Sequence, residues 1–349
     1  MMKKFLAIMF VMFLAAPAGA WAQDDKVYEL TVAWNDIWGP KFRASQVYRP
    51  GGELERLVAE KTNGRVKLKI ISKMFPTEQL LQAVATGKVD IADIAMPWES
   101  STYPMWNWGE IPGVVSANPV VGLAEEEAVY RDPKVREIYD NSMARLNMKF
   151  WFVTQWDPAN GIWSKNEISS LKDLSNMKIR AGGYFPTVGL KAIGGTPVTV
   201  SGSELGPAMI SGTIDGVLTS LGFGYSIGLA QVSKQFTLTP LSPTWSAVTV
   251  INKKKFESLP PDLQAGVMEA GLIVQRMVML STTAEYVLST DILALAGVKV
   301  AEFPESDKAT LAEASQTVEK EWLDQTGKDG AELLAAVRAA VDKYRAFGK

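Results

Sequence analysis

An α/β fold in two domains is what this 349-residue chain predicts, and three features carry that reading. Strand-like and helix-like segments alternate over residues 27–95, and the same rhythm returns over residues 161–240. One long, mostly apolar helical stretch then runs over 262–293. Alternation of this kind builds βαβ units, whose ligands collect beyond the strand ends. The length suits two domains of ordinary size.

The elements follow in order. Tyr28-Glu29-Leu30-Thr31-Val32-Ala33 alternates as a strand does, which predicts a strand over 27–34. Leu54, Leu57 and Val58 share one face of a helix over 51–62, and Asn63-Gly64 supplies its C-cap. Residues 66–70 alternate apolar with lysine, a half-buried strand. A short helix over 78–86 stops at Gly87, and 89–95 reads as an apolar, buried strand. Pro97, Pro104, Pro112 and Pro119 then break the chain into turns flanked by tryptophans. Helix resumes over 125–145, and 148–154 is a strand leaving the first domain. In the second domain, Leu171-Lys172-Asp173-Leu174 forms a helical turn and Met177-Lys178-Ile179-Arg180 a short strand, opening into the bend Ala181-Gly182-Gly183. Residues 244–252 cross back to the first domain, and the tail from Asp307 is an amphipathic helix packed on the outside.

Composition narrows the chemistry. There is no cysteine and no histidine, so disulfides, thiol chemistry, the usual general base and the usual transition-metal ligands are all absent. Carboxylates can still do acid–base work, which leaves an enzyme open. Lys and Arg total 36 against 38 Asp and Glu, a near-neutral balance that gives no reason to expect nucleic acid as partner. Lys3-Lys4, an apolar run over 5–16 and the small residues of Ala20-Trp21-Ala22 predict a signal peptide over 1–22. The run is too short for a comfortable membrane span. An exported, periplasmic protein is expected. No acidic cluster asks for a metal, and no cofactor motif is present.

Arg180 beside Gly182-Gly183 is the leading candidate for a ligand contact, because a planar guanidinium can grip a carboxylate with two parallel hydrogen bonds. Gly183 lets backbone approach closely there. With Gly195-Thr196-Pro197-Val198 and Ile214-Asp215-Gly216 further on, this order resembles the DctP-like solute-binding proteins of TRAP (tripartite ATP-independent periplasmic) transporters. The likeness extends to Glu60-Lys61-Thr62-Asn63-Gly64-Arg65-Val66, Thr86-Gly87-Lys88-Val89-Asp90-Ile91, Ile251-Asn252-Lys253, Leu259-Pro260-Pro261-Asp262, Gly297-Val298-Lys299-Val300 and Asp324-Gln325-Thr326-Gly327.

The resemblance implies a two-lobed periplasmic binding protein fold of the class II type, with a long spine helix across both lobes. Lobe I would comprise 27–152 plus 246–290, and lobe II 153–245 plus 291–349. It also implies that Arg180 holds the carboxylate of an organic acid, and that the partners are the small and large membrane subunits of a TRAP permease. Trp98 falls at a ligand-contact position by this likeness. Trp34, Trp156 and Trp245 lie near strand ends, where an α/β cleft forms, as do Trp38, Trp106, Trp108 and Trp163.

The chain departs from the sialic-acid-type members. They follow Asp-Gly with Gln-Glu-Asn, whereas Asp215-Gly216-Val217-Leu218-Thr219 stands here, placing Thr219 at the contact position with Phe223 after it. Asn160 replaces a second arginine, and Ala95 an acidic residue. Polar contacts have given way to apolar and small ones, which suits an acid with one carboxylate and an apolar body. A C4-dicarboxylate would want a second cation, for which Lys41, Arg43 and Arg49 are available. A sulfonate stays open, and Glu78 is a further candidate contact. The competing reading is an exported enzyme with Asp157, Asp215 or Glu78 as base; another is a binding subunit that serves a sensor.

Overall fold

The computed structural model describes residues 26–34, 43–156, 160–241 and 243–347. The expected signal peptide, Trp38, Lys41 and Asp157 lie outside the described residues, as does the side chain of Arg43. The strands, in chain order, are β1 (Tyr28–Trp34), β2 (Val66–Ser72), β3 (Ile91–Ala95), β4 (Met148–Gln155), β5 (Asn160–Ser164), β6 (Lys178–Ala181), β7 (Thr196–Val198), β8 (Gly216–Ser220), β9 (Gln235–Leu238), β10 (Ser246–Asn252) and β11 (Lys299–Glu302).

They form two sheets, one per lobe. The first runs β2-β1-β3-β10-β4 and the second β11-β9-β5-β8-β6-β7. In the first, β1 pairs in parallel with β2 and β3, while β10 is antiparallel to both β3 and β4. The chain therefore enters lobe II after β4 and returns in β10. Sequence pattern explains the placement: β2 at the edge buries Val66 and Leu68 and exposes Lys67 and Lys69, whereas β3 and β10 are buried throughout.

The helix Glu53–Lys61 ends in left-handed Asn63 and Gly64, where the Gly64 N–H reaches the Ala59 carbonyl at 2.7 Å. The single helical region expected over 125–145 is two helices, Pro119–Arg131 and Pro133–Ala144. Pro133 cannot continue the first, and the Asp132 carboxylate caps the second by accepting from the Lys134 and Val135 N–H groups.

The spine helix Pro261–Leu295 ties the lobes together. Its first half buries Leu263, Val267, Val274 and Val278 against lobe I, and Leu293 enters the core of lobe II. Side chains fasten it to β4: Trp151 Nε1 donates to the Val267 carbonyl at 2.8 Å, and Gln275 Oε1 accepts the Val153 N–H at 3.1 Å.

The terminal helical segment Lys308–Phe347 bends at Gly327 (φ 60°, ψ −139°), a conformation reserved for glycine. The segment serves both lobes. Leu311 and Ala314 pack on lobe II, while Leu333, Leu334, Val337 and Val341 join the core of lobe I. Assigning all of 291–349 to lobe II, as the sequence suggested, is thus corrected from Val318 onward, since Val318 and Trp322 already share the lobe I core. The segment is also more than an outer layer: Trp322 is fully buried and its indole N–H donates to the Pro104 carbonyl at 2.7 Å.

Candidate ligand-binding site

Both chain crossings carry a tryptophan at the cleft. Trp156 follows β4 and Trp245 precedes β10, and the Trp156 N–H donates to the Trp245 carbonyl at 3.0 Å. Trp98, in the helical turn Met96–Glu99 after β3, leans on Trp156 with ring centroids 5.9 Å apart. From lobe II, Phe223 arrives in the helix Leu221–Ser226, whose start is capped by Ser220 Oγ. These four rings, with Pro97 and Gly202, wall a cavity of about 370 Å³ including its mouth. Trp98 is 46% exposed and stands at that mouth.

Arg180, the third residue of β6, supplies the only cation in the wall among the described residues. It is 8% exposed, and its Nε donates to the Val200 carbonyl at 3.2 Å, which fixes the guanidinium plane. No carboxylate pairs with it among the described residues, and burial holds its pKa below the ordinary arginine value. Gly182 makes room: a Cβ there would lie 2.7 Å from Nη1. Gly183 (φ +105°) carries the chain to the lobe seam, where an added Cβ would lie 3.1 Å from the Pro97 carbonyl oxygen. Next to it the Tyr184 N–H donates to Ser100 Oγ across the seam at 3.0 Å.

The structure thus brings Arg180, Trp98, Trp156, Trp245 and Phe223 together. Gly183 lies behind the wall, with Gly182 taking its place on it. Trp34 is corrected: it is 5% exposed and stacks on Tyr48 at 5.4 Å in the lobe I core, off the cavity wall. Thr219 and Asn160 are buried in β8 and β5 and do not line the cavity. Thr219 Oγ1 meets no partner among the described residues. Glu78 is exposed on the turn Thr77–Gln79 and faces solvent. Trp106, Trp108 and Trp163 are core, and Arg49 is exposed. Asp215 accepts the Lys178 N–H at 2.8 Å, a strand-joining role. Pro97, Gly202 and the Val200 carbonyl carry no sequence signal of their own, beyond Pro97 standing next to Trp98.

A cleft between two α/β lobes, crossed by two strands and a spine helix and holding one buried cation among aromatic rings, defines a two-lobed solute-binding protein. The chain belongs to the DctP family, described as bacterial extracellular solute-binding protein, family 7, which matches residues 45–326, and it is a DctP-like TRAP solute-binding protein. A protein described as a solute-binding protein from Albidiferax ferrireducens is 24% identical over 249 residues, 70% of this chain and 71% of that one. Among solved structures, DctP7 of Bordetella pertussis, an extracytoplasmic solute receptor binding pyroglutamic acid, superposes with a TM-score of 0.77 at 21% identity, covering 89% of this chain and 100% of that one. The periplasmic ectoine-binding protein of the TeaABC TRAP transporter of Halomonas elongata gives 0.78 at 18% identity, covering 90% and 100%. TRAP solute-binding proteins bind small ligands and work with membrane subunits.

Proposed function

We propose that this protein captures a small organic acid, a monocarboxylate with an apolar or aromatic body, through Arg180, and delivers it to the small and large membrane subunits of a TRAP permease. One observation carries the reading: a buried guanidinium, already oriented by Val200, faces a wall of four aromatic rings without a carboxylate of its own. The ligand's carboxylate completes the pair, and its body replaces water against Trp98, Trp156, Trp245 and Phe223. Lobe I supplies Trp98, the two crossings carry Trp156 and Trp245, and lobe II supplies Arg180 and Phe223, so ligand contacts from both lobes favour the closed state. The protein acts in the periplasm after removal of the signal peptide, and it is not an enzyme. Of the bases that an enzyme would use, Glu78 is solvated and Asp215 is committed to backbone.

Structural relatives that bind pyroglutamic acid and ectoine fit a small, compact solute. A short dicarboxylate fits less well, because no second cation lines the cavity among the described residues. The test is thermal shift of the purified protein against aromatic and branched 2-oxo acids, pyroglutamate, C4-dicarboxylates, sulfonates, sugar acids and uncharged controls. Stabilisation by apolar monocarboxylates is expected, about 2.7 kcal/mol at a hundredfold excess over Kd. A response confined to dicarboxylates, sulfonates or sugar acids would overturn the choice of ligand class.

A further inference from the structure

A second cavity lies on the other side of the β10 approach. Trp245 points into the ligand cleft, while its neighbours Thr244 and Ser246 line this second cavity together with Asn107, Glu110, Glu126 and Tyr130. It encloses about 220 Å³ including its mouth, of which about 10 Å³ can hold the centre of a water-sized body, room for one.

Met96, Pro97 and Trp106 give it an apolar part, and its polar groups are mostly acceptors. Glu110 is 2% exposed, and both of its carboxylate oxygens lack a hydrogen-bond partner among the described residues. Asn107 is equally buried; its Nδ2 is turned to the Tyr103 carbonyl, and its Oδ1 is unpartnered. The hydroxyl hydrogens nearby are already engaged. Ser246 Oγ donates to Glu126 Oε1 at 2.5 Å, and Thr244 Oγ1 donates to the Gly109 carbonyl at 3.2 Å. Tyr139 OH donates to the Trp106 carbonyl at 3.2 Å, leaving the Tyr130 hydrogen for Tyr139. No Lys or Arg lines the cavity among the described residues.

We propose that this cavity is a binding site for one water-sized monovalent cation, of the potassium or ammonium class, held by Glu110 and Asn107 with the lone pairs of the surrounding hydroxyls. A proton on Glu110 alone leaves Asn107 Oδ1 unmatched, since the two side chains share no hydrogen bond, whereas a cation between them pairs both. Divalent ions are disfavoured: they require more anionic oxygens, and no group of three acidic or other metal-ligating side chains occurs among the described residues. The site adjoins the Arg180 cleft, with Pro97 in the wall of both cavities, but Arg180 does not line it.

The test measures Tm of the purified protein at pH 8 in potassium, ammonium, sodium and choline chloride at one ionic strength, for the native chain and Glu110→Gln. A saturable upward shift in potassium or ammonium relative to choline is expected, and it should vanish in Glu110→Gln, which keeps the side chain's size. Crystals grown in rubidium chloride check the native chain directly, by an anomalous peak within bonding distance of Glu110. Equal Tm in all four salts, a shift that persists in Glu110→Gln, or ordinary water density at Glu110 without an anomalous peak would each overturn the proposal.

Discussion

Asp93 and Arg180 are both buried charged groups near the middle of the molecule, and the structure treats them in opposite ways. Asp93, on β3, is surrounded by donors: Tyr48 OH at 3.0 Å, Thr249 Oγ1 at 3.0 Å and Thr154 Oγ1 at 3.3 Å all bond Oδ1. Those hydroxyls belong to the helix Arg43–Tyr48 and to strands β10 and β4, so the carboxylate knits lobe I together. Arg180 has one carbonyl on Nε, and the rest of its guanidinium faces an aromatic cleft. A charge whose partners are built into the fold serves the fold. A charge oriented but left without a counter-ion is free to meet one from outside.

The largest effect expected from this contrast is on Arg180→Ala. Calorimetric titration with the best acid from the panel should show a loss of about 2–5 kcal/mol in binding, the cost of removing one partner of a buried charge pair. The ligand-free Tm should stay level or rise, because the substitution removes a desolvated, uncompensated charge. A structural arginine would behave in reverse.

Asp93 comes next. Burial, opposed by its three hydroxyl donors, raises its pKa from the ordinary 3.8 to about 6. The native state therefore holds a proton between about pH 4 and pH 6 that the unfolded chain has released. Its contribution to stability is fully present below the unfolded value and declines as pH rises through that window. The decline is on the order of 2–3 kcal/mol. Asp93→Asn, which keeps an acceptor for the hydroxyls, should lack this part of the pH dependence in denaturant unfolding, and its ligand affinity should be unchanged.

Gly183→Ala separates seam from pocket. Its φ of +105° and the nearby Pro97 carbonyl predict a stability loss of about 2 kcal/mol by chemical unfolding. Gly182→Ala should instead displace the guanidinium and weaken binding about tenfold, with a smaller effect on Tm. Smallest is Trp98→Ala: a half-exposed ring at the mouth should cost about 1 kcal/mol of affinity and little stability. Finding Trp98→Ala as destabilising as a core tryptophan would place that ring in the fold rather than the cleft.

Much of this was legible in the sequence because local pattern determines it. The strand–helix rhythm, the Asn63-Gly64 cap and the spine helix follow from periodicity and backbone chemistry. Arg180 follows from the Gly182-Gly183 bend and the family likeness, and the rings at the two crossings from the tendency of α/β clefts to form at strand ends. What pattern cannot supply is the direction in which a side chain leaves a crowded strand end. Trp34 ends β1 as a cleft residue would, yet Tyr48 stacks over it and takes it into the core. Thr219 occupies a family contact position, but β8 is buried along its whole length, so strand position alone gave no wall. Glu110 had no local signal at all. Its burial arises where the turn Pro104–Glu110 folds between the lobe I core and the Gly183 seam. The terminal helical segment likewise passes from one lobe to the other within a continuous amphipathic pattern, the change falling between Ala314 and Val318.

The most direct test of Arg180 as ligand anchor is the Tm of native protein and Arg180→Ala, each with and without the acid selected by the panel. The account expects a ligand-induced rise in the native chain, none in the variant, and a ligand-free variant at least as stable as the native chain. A variant that is destabilised without ligand but still responds fully to it would make Arg180 a structural residue and place the anchor elsewhere.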